Sequence, residues 1–156
     1  MSMALVFAVA AGVAVAAAAL AILSARSRAG APAPGAADVG TLSACPGSPN
    51  CVTSLAADPR HAVDPIRFEG PPAIAWERLR TLLASLPQAR TAAERPGYLH
   101  VEFRSRFFGF VDDAEFLLDA SNQRIDVRSA SRVGWSDLGA NRRRMTLIAR
   151  RFDDSA

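Results

Sequence analysis

The spacing of hydrophobic positions changes several times along the chain, and each change marks an element. Residues 3–23, MALVFAVAAGVAVAAAALAIL, hold neither a charge nor a proline. About 20 apolar residues at roughly 1.5 Å rise span a bilayer core, so this stretch predicts a membrane-spanning helix. From 73 to 86, AIAWERLRTLLASL, residues Ile74, Leu79, Leu82 and Leu83 share one stripe while Glu77, Arg78 and Arg80 lie elsewhere. That is helical spacing, and Pro87 ends it. A short strand is expected over 90–94. The period then drops to two: Leu99, Val101, Phe103 and Ser105 alternate with His100, Glu102, Arg104 and Arg106. FFG at 107–109 turns the chain into a strand, FVDDAEFLLD, and SNQ at 121–123 turns it into another, RIDVRSASR. Ser136 or Asp137 caps a last helix running to about Phe152.

Short hairpin links require antiparallel pairing, and two amphipathic helices suffice to cover one sheet face. The expected fold is α+β: a small antiparallel sheet of three to four strands, two helices on one face, all behind an N-terminal transmembrane segment. Three regions follow: an anchor or signal at 1–25, a proline-punctuated flexible tether at 26–41, and a single domain at 42–153.

One face of this arrangement is unexpectedly polar. Ile125, Val127, Ser129 and Ser131 share a face of the last strand, and Phe110, Asp112, Ala114, Phe116 and Leu118 share one on the strand before it. In the final helix Leu138, Asn141, Met145, Ile148 and Phe152 recur at spacings of three and four. Asp112, Ser129, Ser131 and Asn141 therefore point toward the interior near one end of the sheet. Each would cost about 1–3 kcal/mol if buried and unpaired, so they are expected to meet one another, or an arginine such as Arg142 or Arg144, or backbone near Gly134. Asp113, Glu115, Arg104, Arg106, Arg128 and Arg132 fall on the opposite face as cross-strand charge pairs, with His100 outward.

Composition adds little to function. The chain has 156 residues, half of them hydrophobic, and a formal charge of +3. All 18 basic residues are arginine. With the abundant alanine this reads as GC-rich coding rather than selection for anion grip, and no nucleic-acid partner is expected. The apolar stretch lacks a leading basic residue and exceeds the 7–15 residues of a typical secretory signal, which favours an uncleaved anchor. Arg26 and Arg28 after the span argue for a cytoplasmic domain. The cysteines argue the other way. Cys45 and Cys51 enclose a turn-forming PGSPN and are expected to pair, stabilising by roughly 2–3 kcal/mol. A metal site with His61, short of a fourth ligand, and free thiols are the alternatives. A disulfide implies an oxidising compartment, so the domain is placed in the periplasm or cell envelope. LSAC at 42–45 has the letters of a lipoprotein box but stands too far from the apolar stretch to serve as one.

SPNCVTS, FGFVDD and RSASRVGWSDLGANRRR together resemble the family known as domain of unknown function 1499, over about residues 42–152. The resemblance implies hallmark positions at Cys45, Pro49, Asn50, Cys51, His61, Asp112, Asp113, Arg128, Ser129, Ser131, Arg132, Gly134, Asp137, Gly139, Asn141 and Arg142. It implies fold and an export signal or anchor more than an activity.

No glycine-rich phosphate loop and no nucleophile elbow is present, and no cofactor is expected. The polar cluster has a structural reading, a network pinning helix to sheet, and a functional one, a pocket open at one end. The residues assigned to it are Asp112, Ser129, Ser131, Arg132, Asp137, Asn141 and Arg142. The function expected is a membrane-tethered extracytoplasmic binding or interaction module, held in the membrane by residues 3–23. Its partner would be an envelope protein or a small anionic ligand. The alternative is a small hydrolase-like enzyme using Asp112 with a hydroxyl or bound water.

Overall fold

The computed structural model describes residues 2–30 and 40–155. In chain order it contains α1 (Met3–Ala29), β1 (Cys51–Thr53), β2 (Ile66–Arg67), α2 (Pro72–Ala84), β3 (Ala89–Arg95), β4 (Tyr98–Arg104), β5 (Val111–Asp119), β6 (Arg124–Ser131) and α3 (Ala140–Asp153). The class is α+β and the sheet antiparallel, but it has six strands rather than three or four. The order is β1-β6-β5-β4-β3, with β2 also on β6. The two unforeseen strands are three and two residues long, too short for alternation to declare itself. They lie in tandem along the outer edge of β6, Cys51 opposite Ala130 and Ile66 opposite Ile125.

Both later helices cover one face. Ala75, Leu79 and Leu83 of α2 and Met145, Ile148 and Phe152 of α3 pack on Leu99, Val101, Phe116 and Val127 in a single core. Two assignments to the helical stripes are corrected here. Ile74 is exposed, because the stripe of α2 runs through Ala75, Leu79 and Leu83 instead. Leu138 is 85% exposed, because α3 starts only at Ala140 and Leu138 lies in the turn before it. Ser105 likewise falls beyond β4 and is exposed.

The N-terminal helix is long and apolar enough to cross a membrane. It continues through Ala29, so residues 26–29 are helical rather than the start of a tether. Most of the expected tether, 31–39, lies outside the described residues. The C-terminal turns of α1 touch the sheet: Ser24 and Ser27 are buried, and the Ser27 hydroxyl accepts the Val111 N–H at 2.8 Å and donates to the Val111 carbonyl at 3.2 Å.

Cys45 and Cys51 are joined, with Cα atoms 5.6 Å apart. This removes the thiolates that a metal site with His61 would need. The Nδ1–H of His61 instead donates to the Cys51 carbonyl at 2.9 Å. Upstream of the bridge, Leu42 is buried against Tyr98 and Leu117, on the sheet face that the helices leave open.

Two results are expected from the bridge. Thiol alkylation of freshly lysed cells should leave both cysteines unlabelled. The Cys45→Ser, Cys51→Ser double variant should unfold about 2–3 kcal/mol more easily in chemical denaturation. Full labelling of both thiols in the lysate would contradict the pairing.

Candidate functional site

The polar residues of β5, β6 and α3 meet as one hydrogen-bonded group beneath the helices. Ser129 Oγ donates to Asn141 Oδ1 at 2.6 Å, and Asn141 Nδ2 donates to Ser131 Oγ at 3.0 Å and to the Asn50 carbonyl at 2.9 Å. Asn141 and Ser129 are fully buried, so an amide with every hydrogen-bonding site used is what this position can tolerate. Arg144 completes the set. Its guanidinium donates to Asn141 Oδ1, to Ser129 Oγ at 3.1 Å and to Asp112 Oδ2 at 2.5 Å, and its Cζ stands 4.8 Å from the centre of the Phe103 ring. Asn50 extends the group, its Nδ2 donating to the Gly134 carbonyl at 2.6 Å.

Helical geometry explains which arginine takes part. Arg144 is three residues from Asn141 and shares its face, whereas Arg142 is turned about 100° away. Arg142 donates instead to the carbonyls of Arg60 and Ala62, holding the segment that carries His61. Asp137 stands just ahead of α3, accepting the N–H of Gly139 at 2.9 Å and of Asn141 at 2.7 Å, and so fixes the helix end that carries the network. Asp112, Ser129, Ser131, Asp137 and Asn141 are thus brought together. Arg132 and Arg142 are not.

Arg132 belongs to the opposite face, and that face is not the solvent-exposed set of charge pairs expected. His100, Asp113, Glu115 and Arg128 are each 6% exposed or less. The His100 Nε2 lies 2.7 Å from Asp113 Oδ1, and Arg132 reaches both Asp113 oxygens, at 2.7 and 2.8 Å, and Glu102 at 2.6 Å. A second chain of contacts runs from the Tyr98 hydroxyl through Glu115 to Arg128. Arg104 and Arg106 alone of that group are exposed. Burial by itself pushes the Asp113 carboxyl up, but hydrogen bonds from Arg132 and His100 outweigh it and hold the pKa below the usual carboxylate range. Asp113 and Glu102 in turn hold the Arg132 guanidinium above its ordinary value. Arg132 also donates to the Ser27 carbonyl of α1 at 3.4 Å. The sequence carried no local sign of this burial, because what lies on this face comes from Leu42 and α1, far away in the chain.

Between the start of α3 and the loops after β4 and β6 lies a cleft of about 370 Å³. Its apolar walls come from Leu23, Phe108, Phe110 and Val133, and its polar groups are Ser105, Asp112, Ser131, Ser136 and Asp137. Asp112 spends Oδ2 on Arg144, and Ser131 Oγ accepts from Asn141. Among the described residues this leaves one carboxylate oxygen and one hydroxyl hydrogen, an acceptor and a donor on cross-strand partners. Neither histidine approaches: His61 is held at Cys51, and His100 is on the other face.

Residues 41–152 match the family model described as Protein of unknown function (DUF1499), and the chain belongs to that family. No curated protein and no solved structure matches it.

Two expectations follow from these contacts. Asn141→Ala should cost about 1–3 kcal/mol and Asp112→Ala a similar amount, with the double variant costing less than the sum, because each deletion orphans the same partners. Additive losses in denaturant titrations would show the two residues to be independent. For Asp113 the sign is that of a depressed carboxylate: its contribution is complete above its unfolded value near 3.9 and is lost as pH falls toward the folded one. Melting temperature should therefore decline below about pH 4, and Asp113→Asn, less stable at neutral pH, should show a shallower decline. Parallel acid limbs would exclude Asp113 as a contributor.

Proposed function

We propose that this member of the DUF1499 family is a membrane-tethered, extracytoplasmic binding module. Its ligand site is the cleft between α3 and the loops after β4 and β6. The observation that carries the reading is the make-up of that cleft: apolar walls, with the free Asp112 oxygen and the Ser131 hydroxyl presented beside each other. Small-molecule sites commonly pair an apolar lining with a few convergent polar groups. The family hallmarks Asp112, Ser131 and Asp137 all lie on its wall. A disulfide supports an oxidising compartment, and a 27-residue helix that is uncharged over residues 3–23 supports retention at a membrane.

The chemistry of the cleft also narrows the ligand. The two carboxylates on its wall disfavour the anion first expected, and the arginine nearest them is already paired with Asp112. An uncharged amphiphile with a hydroxyl or amide head suits the free acceptor and donor better. A hydrolytic role for Asp112 gains no support, since that carboxylate is tied to Arg144 and neither histidine is near enough to take a proton.

Native mass spectrometry of the full chain in mild detergent should show a co-purifying small amphiphile. Ala140→Phe, which fills the cleft from the first residue of α3, should lose that mass while melting like the parent. A bare parent chain, with no melting shift on adding lipid extract, would refute the site.

A further inference from the structure

We infer that the domain lies directly on the bilayer that α1 enters, with the loops 105–110 and 132–139 immersed in its interfacial layer. This rests on reading α1 as a retained span, and it stands whether or not the cleft takes a ligand.

The first observation is where exposed apolar side chains collect. Outside α1, seven large hydrophobic residues are exposed among the described residues, and four of them, Phe107, Phe108, Trp135 and Leu138, sit on these two loops. The other three, Leu55, Ile74 and Leu147, are scattered over separate elements, as single exposed residues ordinarily are. A concentrated patch at one end of a small domain marks an interaction surface.

The second observation fixes what covers it. Leu23, in the last apolar turn of the span, lines the same cleft as Phe108, Phe110 and Leu138. The end of the span is therefore level with the loops, and the helix before it is exposed along its whole apolar length. If residues 3–23 are in hydrocarbon, Leu23 marks the boundary, and the patch is at that depth. Trp is favoured at that boundary, and Trp, Phe and Leu are the side chains with which peripheral segments dip into it. Charge agrees with placement: Arg28 of α1 and Arg104 both flank Gly109, and Arg104 and Arg106 are exposed, at the height of lipid phosphates.

The third observation is strain. Leu138 has φ +52 and is 85% exposed. A bulky side chain held in the left-handed region and left in water gains nothing from the domain's own packing. Its side chain is placed where only something outside the domain can bury it.

The test uses the full chain reconstituted in vesicles of phosphatidylcholine and phosphatidylglycerol, with and without phosphatidylcholine brominated near the top of its acyl chains. Trp76 supplies a second emission, so wild type is compared with Trp135→Phe, and the difference is the signal of Trp135. Trp135 should lose most of its emission to the brominated lipid, emit to the blue of a tryptophan in water, and resist quenching by iodide. Emission untouched by bromine and freely quenched by iodide overturns the inference. So does protection from both quenchers accompanied by cross-linking between copies of the Trp135→Cys variant, which would assign the patch to a second copy of the chain. Intact mass of the chain isolated from its own membranes reports separately on whether residues 1–29 are retained, so failure of the tether and failure of loop immersion are read from different measurements.

Discussion

Asp112 and Asp113 are neighbours in the chain and lie on opposite faces of the sheet. Strand alternation forces this, and the rest of the domain is arranged around its consequences. Asp112 is taken by Arg144 from α3, and Asp113 by Arg132, the residue just after β6. Through Arg144 the first carboxylate is tied to Ser129 and Asn141, which set the position of the α3 N-terminus. Through Arg132 the second is tied to Glu102 of β4 and to the Ser27 carbonyl of α1. A slip of one residue between β5 and β6 would turn one strand over, driving its buried charges, Glu115 or Arg128, into the apolar core and its Phe116 or Val127 out of it. Such pairs add little net stability, since desolvation offsets attraction, but breaking one strands a buried charge. Their effect is to make one register much better than its neighbours.

The helix-side group was legible because every part of its signal is local. Ser129 and Ser131 are two apart on a strand, and Asn141, Arg144 and Met145 recur at helical spacing; period alone puts them on one face. The opposite face was misread for the converse reason. Alternating His, Glu, Asp and Arg looks like a solvated surface, and locally nothing distinguishes it from one. Yet Glu115 has no exposure at all. Its neighbourhood is set by Tyr98 and Arg128 on adjacent strands, and by Leu42 packing beside them, a residue held close by the Cys45–Cys51 bridge. Burial here is decided by contacts across more than fifty residues of chain, which no periodicity records.

Smaller misreadings have the same kind of cause. Ile74 and Leu138 match the helical period but stand at or before a helix start, where a residue can keep the spacing and still face water. Arg142 and Arg144 are equivalent in composition and differ only in their rotation about α3. β1 and β2 declare themselves only by pairing with an edge that β6 already offers.

The polarity at this end of the sheet also has a mechanical meaning. An apolar core permits many nearly equal packings, whereas a satisfied network of directional hydrogen bonds admits few. The network lies under the loop from Val133 to Gly139, with the Gly134 carbonyl held by Asn50 and the Gly139 and Asn141 amides held by Asp137. That loop carries Trp135 and the strained Leu138. A loop that must present apolar side chains outward cannot be fixed by burying them, so it has to be fixed by its backbone and by polar groups beneath. Ser129, Asn141 and Asp137 fill that requirement. On the proposed reading, the hydroxyls and amide in this core are the support that lets the domain keep a hydrophobic surface turned away from itself.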